Sequence, residues 1–144
     1  MNGEQFLALA AELISGPTEA HYRSAVSRAY YGVFHIARRL LEDVGVHLPR
    51  GEQVHAKAMY CLQDCGEQSA AEAAAYLEIL RTERNRADYD LDRSAYQQRE
   101  AEAQVRKAQH TVAALQQCRS GPNAGDFRAQ VQAQARLLGL PVSE

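Results

Sequence analysis

Ten apolar side chains fall on one arc of a single segment between Glu19 and Val44, and no other feature of the sequence restricts the fold so sharply. At about 100° per residue, Val26, Ala29, Tyr30, Val33, Phe34, Ile36, Ala37, Leu40, Leu41 and Val44 share that arc, while Ser24, Arg28, Tyr31, His35, Arg38 and Glu42 take the opposite one. A stripe that wide must be covered by other helices. Thr18 is placed to cap the segment, with Glu19 as the acid of its first turn. Gly45 ends it, and Pro49 and Gly51 mark the loop beyond.

The remaining segments supply the covering helices. Phe6, Leu9, Ala10 and Leu13 recur at helical spacing and predict a helix over residues 3–15, stopped by Ser15-Gly16-Pro17. Val54, Ala58, Cys61, Leu62 and Cys65 predict a shorter helix over 52–64. Ser69 with Glu72 reads as a capping box that opens a further helix, in which Ala73, Leu77 and Leu80 form a stripe continued by Arg84 and Asp88. Ser94 with Gln97 reads as a second box, followed by the stripe Ala101, Val105, Ala108, Val112 and Leu115. After Ser120-Gly121-Pro122-Asn123, Asp126 is placed to cap a last helix carrying Phe127, Val131, Ala135 and Leu138. No strand pattern competes. The expected architecture is all-α, an up-and-down bundle of four or five helices over 1–120, with a linker and an amphipathic C-terminal helix over 121–144.

Composition narrows the function classes. The formal net charge of −2 gives no global basic field, so contact with RNA would need a local arginine cluster. No apolar run approaches the roughly 20 residues of a membrane span. The opening MNGEQFLALAAELIS has no basic start and matches a secretory leader poorly, which makes the cytoplasm the expected location. Cys61, Cys65 and Cys118 lack a disulfide or zinc framework and read as reduced, half-buried thiols. Glu52 and His55 form a single Glu-x-x-His, where a di-iron bundle needs two such pairs and further glutamates. No metal or other cofactor is expected. Phosphate-binding glycine loops and hydrolase elbows are also absent from the sequence.

Two groups of residues can carry chemistry. Arg28, Tyr31 and His35 lie three and four apart on the polar arc of the long segment. A guanidinium forks onto phosphate oxygens and aromatic rings stack on bases, so the trio suits a nucleotide; the plainer reading is a solvated face. The second group is Arg81-Thr82-Glu83-Arg84-Asn85-Arg86-Ala87-Asp88-Tyr89-Asp90. Its plainer reading is an internal network, with Arg84 paired to Asp88 at i,i+4 and the helix end tied to the following loop.

These two blocks carry a resemblance. AVSRAYYGVFHIARRLL (25–41) and LRTERNRADYD (80–90) resemble the signatures of one prokaryotic branch of the HEPN (higher eukaryotes and prokaryotes nucleotide-binding) domains, in the same order and at a fitting separation, and the likeness spans about residues 4–118. The resemblance implies a dimerising bundle, frequent pairing with a nucleotidyltransferase encoded nearby, and a place in toxin–antitoxin or defence systems. It also implies that active relatives are metal-independent ribonucleases, built on an arginine followed after four to six residues by a histidine, with two copies meeting across the dimer. Here Arg84 and Asn85 match the start of that motif, but Tyr89 holds the histidine position, and no histidine occurs between His55 and His110. An imidazole titrates near about 6.5 and a phenol near about 10, so the phenol is a poor base at neutral pH. The tyrosine adenylylated in some relatives falls at Leu91, so that regulation does not carry over.

Three functions follow as expectations. The first is a module with a degenerate ribonuclease motif, binding RNA or a nucleotide in a homodimer cleft at Arg84, Asn85, Asp88 and Tyr89, with Arg28, Tyr31 and His35 nearby. The second is an active ribonuclease toxin in which Arg84 and His35 are the catalytic candidates. The third is a non-catalytic subunit that docks on a nucleotidyltransferase through the C-terminal helix.

Overall fold

The computed structural model describes residues 1–92 and 95–143. The described residues form six helices: α1 (Gly3–Leu13), α2 (Glu19–Asp43), α3 (Val54–Gln63), α4 (Gln68–Tyr89), α5 (Gln98–Ser120) and α6 (Ala124–Leu137). Among the described residues there is no strand, only an isolated antiparallel bridge between Val46 and Val142. The fold is all-α, as the sequence predicts. None of these helices is long and apolar enough to cross a membrane. Two compact units divide the chain: Met1–Ile36 with Tyr76–Thr111, and Ala37–Ala75 with Val112–Glu144.

In the first unit, α2 starts as expected. Thr18 Oγ1 accepts from the backbone N–H of His21, which satisfies one of the free amides of the first turn. Ala25, Val26, Ala29, Tyr30, Val33 and Phe34 are buried along the predicted arc. The covered face of α1 differs from the expected one. Leu9 is exposed, and the buried positions are Gly3 and Ala10. The cause is a close backbone approach: a Cβ on Gly3 would run into the carbonyl oxygen of Gly32, and one on Gly32 would come within 2.9 Å of the Gly3 oxygen. Two glycines let α1 and α2 touch main chain to main chain, and that contact fixes which face of α1 is inward. The predicted cap Ser94 lies outside the described residues; Gln97, just before α5, donates its N–H to Glu100 Oε1 at 3.3 Å.

The second unit rests on apolar packing and backbone clamps. Leu40, Leu41, Val46, Leu62, Leu115, Phe127 and Val131 are among its buried side chains, and α6 packs on α3. Phe127, Val131 and Ala135 are buried as their spacing predicts. Two caps shift from their predicted places. Gln68 opens α4, so Ser69 sits inside its first turn, and α6 begins at Ala124, so Asp126 lies in the first turn as a charge facing the helix dipole. The stripe of α5 also turns by one residue: Thr111 is buried and Val112 half-buried, because Thr111 returns its hydroxyl proton to the Lys107 carbonyl at 2.7 Å and enters the interior satisfied. Gly45 takes φ +94°, which ends α2, and the Ser143 N–H donates to its carbonyl at 2.7 Å. Gln132 Nε2 caps the Val44 carbonyl at 2.8 Å, and His47 meets the Ser143 hydroxyl. Cys61, Cys65 and Cys118 are all buried, deeper than the half-burial the sequence suggests. Burial pushes the Cys61 thiol up to about 11 and the Cys118 thiol up to about 12, so both stay protonated and inert near neutral pH.

Candidate functional site

The seven candidate ligand-contacting residues, Arg28, Tyr31, His35, Arg84, Asn85, Asp88 and Tyr89, all lie in the first unit. Arg84 is the centre of one cluster. Its Nε stands 3.0 Å from Asp88 Oδ2, off the hydrogen-bonding line, so the contact is an ion pair rather than a directed bond. Its Nη1 donates to Asn85 Oδ1 at 2.8 Å. Among the described residues Nη2 has no partner, and the side chain is 19% exposed. The guanidinium lies over the Tyr31 ring at 5.0 Å and over the Tyr89 ring at 5.5 Å. Ser27 on α2 donates its hydroxyl to Asp88 Oδ2 at 3.1 Å. The two sequence blocks, one on α2 and the other on α4, therefore meet side chain to side chain.

The polar arc of α2 extends this cluster. The Arg28 guanidinium lies over Phe6 at 5.3 Å and over Tyr31 at 5.7 Å. No carboxylate pairs with Arg28 among the described residues. His35, exposed, stacks on Phe6 at 5.7 Å and neighbours Tyr31 at 6.5 Å. Tyr31 is the ring shared by Arg28, His35 and Arg84, so the link between His35 and Arg84 passes through it. Tyr30, the adjacent phenol, is buried, and burial pushes it up to about 12 against the lowering field of Arg81. It stays protonated and cannot accept a proton at neutral pH. Tyr89 is 70% exposed and Leu91 is exposed beside it, an open aromatic and apolar end to α4.

Both plainer readings of the arginine-rich block are also present. Arg84 pairs with Asp88, and the helix end is tied down, but by residues the sequence reading passed over. Arg23 is buried and donates to the carbonyls of Arg86 at 3.2 Å, Ala87 at 2.8 Å and Asp90 at 3.3 Å, while its Nε meets Glu19 at 3.0 Å. These carbonyls lie in the last turn of α4 and just past it, and that of Arg86 also accepts from the Asp90 N–H at 3.0 Å. The backbone N–H of Tyr96 donates to Glu19 at 2.7 Å, and this bond, with Arg23, holds the Glu19 carboxyl below its ordinary range. Arg86 faces a different set: Glu83 at 3.2 Å, Glu100 at 3.0 Å and the Tyr96 ring at 5.1 Å. The arginines of the block thus divide. Arg86 builds a structural network around Tyr96, and Arg84 joins the aromatic cluster. Glu19 and Arg23, at i,i+4 on α2, were the one available signal of this anchor.

Glu52 is exposed and His55 is buried on α3, and among the described residues no group of three or more His, Cys, Asp or Glu side chains is placed to hold a metal ion.

The cluster holds two guanidinium groups, several rings with exposed faces, and one carboxylate already engaged by Arg84 and Ser27. It can take a phosphate and a planar base; it offers no obvious proton acceptor at the Tyr89 position. No curated protein and no solved structure matches the chain. A family model, the HEPN domain, matches residues 2–118, which includes α1 to α4 and nearly all of α5 and leaves out α6. A match over that much of the sequence makes this chain a member of the HEPN domain family, consistent with an RNA- or nucleotide-related role.

Proposed function

We propose that the chain is an RNA- or nucleotide-binding HEPN module with a degenerate ribonuclease motif, working as a homodimer in a nucleotidyltransferase-linked toxin–antitoxin or defence system. Arg28, Tyr31, His35, Arg84, Asn85, Asp88 and Tyr89 form its ligand-contacting surface. The observation that carries the reading is the 5.0 Å stacking of Arg84 on Tyr31, which gathers residues 53 positions apart into one arginine–aromatic cluster. Arg28 supplies a cation not neutralised by a carboxylate, Arg84 supplies its unpartnered Nη2, and Tyr31 and Tyr89 supply stacking faces, each worth about 1–3 kcal/mol per base in comparable sites. With a phenol at the histidine position, the general acid–base contribution of about 10²–10⁴-fold is missing.

Titration of a single-stranded oligonucleotide and a nucleoside monophosphate into the wild type and into Arg28→Gln and Arg84→Ala tests the reading. Each variant is expected to bind about tenfold more weakly, about 1.4 kcal/mol. A wild type that binds neither probe removes the proposal. RNA cleavage by the wild type, lost in His35→Ala, would replace it with the active-ribonuclease reading. Sedimentation of the purified chain at the binding concentration checks the homodimer, and co-purification with the product of the neighbouring gene checks the transferase link. The docking role first suggested for α6 gains no support, because Phe127, Val131 and Ala135 already spend the apolar face of that helix inside its own unit.

A further inference from the structure

A second surface of the first unit carries cations, and the cluster around Arg84 does not include it. Ala103, Arg106, Lys107 and His110 are spaced three, one and three apart on α5, which places them along one side of the helix, away from the buried stripe of Ala101, Val105 and Ala108. Tyr76 of α4 faces them. These residues line an open groove of about 270 Å³. The Tyr76 and His110 rings meet edge to face, 5.3 Å between centroids and 90° between planes, so the aromatic wall is held in a defined orientation. Ala103 contributes a methyl group and no polar atom, which leaves the space beside the wall open.

The Arg106 and Lys107 side chains take part in no ion pair or hydrogen bond among the described residues. Arg23, Arg84 and Arg86 of the same unit are engaged by carboxylates, whereas Arg106 and Lys107, like Arg28, are not neutralised by one among the described residues. An anion entering the groove therefore meets two positive groups that no carboxylate neutralises among the described residues. Arginine offers a planar fork to phosphate oxygens and lysine a mobile point charge. The ring of Tyr76 offers the stacking face that a carboxylate or a bare phosphate would leave unused. The groove is slightly smaller than the roughly 300–1,000 Å³ of drug-sized sites, a size suited to one nucleotide unit of a longer strand.

We propose that this α4–α5 groove is a second nucleic-acid contact, binding one nucleotide of a single-stranded RNA with its phosphate on Arg106 and Lys107 and its base against Tyr76. The proposal deepens the RNA reading above and rests on it for the identity of the polyanion.

The test uses the full chain and labelled single strands of about 4 and about 16 nucleotides. The double variant Arg106→Gln/Lys107→Gln is expected to bind the longer strand about tenfold more weakly. It should also flatten the dependence of log affinity on log salt by about 0.7, the share of one single-strand phosphate. Tyr76→Leu should lower affinity without changing that slope. The double variant should melt close to the wild type, since Arg106 is exposed and Lys107 half-buried; Tyr76→Leu gives up a half-buried ring and its contact with His110, so its affinity is measured well below its melting temperature. Wild-type affinity and wild-type slope in the double variant would overturn the proposal. Displacement of the strand by equimolar inorganic phosphate would overturn it in favour of a free-phosphate site, and equal competition by polyglutamate would overturn it in favour of an acidic-peptide surface. If Arg28→Gln and Arg84→Ala leave binding intact while the double variant loses it, the site around Arg84 falls and the groove stands. If the wild type binds neither strand, both readings fall together.

Discussion

In the first unit, Arg23, Arg28, Arg84 and Arg86 each lie over an aromatic ring, whereas the fixed points of the second unit are buried leucines, Phe127, three thiols and a tail clamped to backbone carbonyls. The contrast is one of what each arrangement leaves unsatisfied. A guanidinium over a ring still presents hydrogen-bonding edges, so a unit built this way keeps polar valence for a ligand. Apolar packing and closed backbone bonds keep none. The same three long helices, α2, α4 and α5, contribute residues to both units, so the difference is written in side chains and not in secondary structure.

The largest expected effect belongs to the second unit. Phe127→Ala should cost about 3–5 kcal/mol in urea unfolding, while the RNA affinity of the folded fraction stays at the wild-type value; a matching loss of affinity would break the separation between the two regions. Next is Arg23→Ala. It removes the guanidinium that donates to the carbonyls of Arg86, Ala87 and Asp90 and should cost about 3 kcal/mol. Unlike Phe127→Ala, it should also weaken RNA binding, because the end of α4 that carries Asp88 and Tyr89 loses its anchor. An unchanged affinity would confine Arg23 to stability. Gly45→Ala forces a side chain into φ +94° and against the Ser143 carbonyl, and should cost about 1–2 kcal/mol without touching affinity.

How much of this was legible beforehand follows the same division. The arc of α2 was readable because a 25-residue amphipathic helix repeats its own message many times. The stripe of α6 was readable for the same reason. The inward face of α1 was not, because Gly3 and Gly32 act only as a pair, and neither carries a side chain for a pattern to register. Ser69 and Asp126 have the right chemistry for caps, but α4 begins at Gln68 and α6 at Ala124, so both side chains fall inside the first turn and neither marks the boundary. Of the candidate site, Arg28, Tyr31, His35 and Arg84 were readable as exceptions to an otherwise apolar or charged rhythm. Phe6 and Ser27, which complete the cluster, looked like ordinary helix positions. The groove at Tyr76 was invisible, since its residues come from helices that meet only in three dimensions.

Two smaller effects sharpen the comparison. Asp88→Asn neutralises the one carboxylate paired with Arg84 among the described residues and, by freeing that guanidinium for phosphate, should raise RNA affinity about threefold while costing under about 1 kcal/mol; lower affinity would mean that the ligand needs the negative charge of Asp88 itself. The smallest effect is silent at neutral pH. Burial pushes the Cys61 thiol up from an ordinary value of 9.0 to about 11 and the Cys118 thiol up to about 12 in the folded chain. The folded state therefore holds protons that the unfolded chain has released. The contribution to stability is complete below pH 9 and is lost as pH rises through that interval. Cys61→Ala/Cys118→Ala should flatten the alkaline limb of a stability–pH curve, and an identical limb in the double variant would assign it to Tyr30 and Tyr96.

The glycine contact between α1 and α2 reaches beyond packing. Phe6 sits one turn along from Gly3, and its ring is the floor under both Arg28 and His35. A single methyl group added at residue 3 or 32 would wedge the helices apart like a shim under a hinge, lifting that floor from the two side chains it supports. The reach of the ligand surface is thus gauged by two positions that never touch a ligand and have no side chain to offer one.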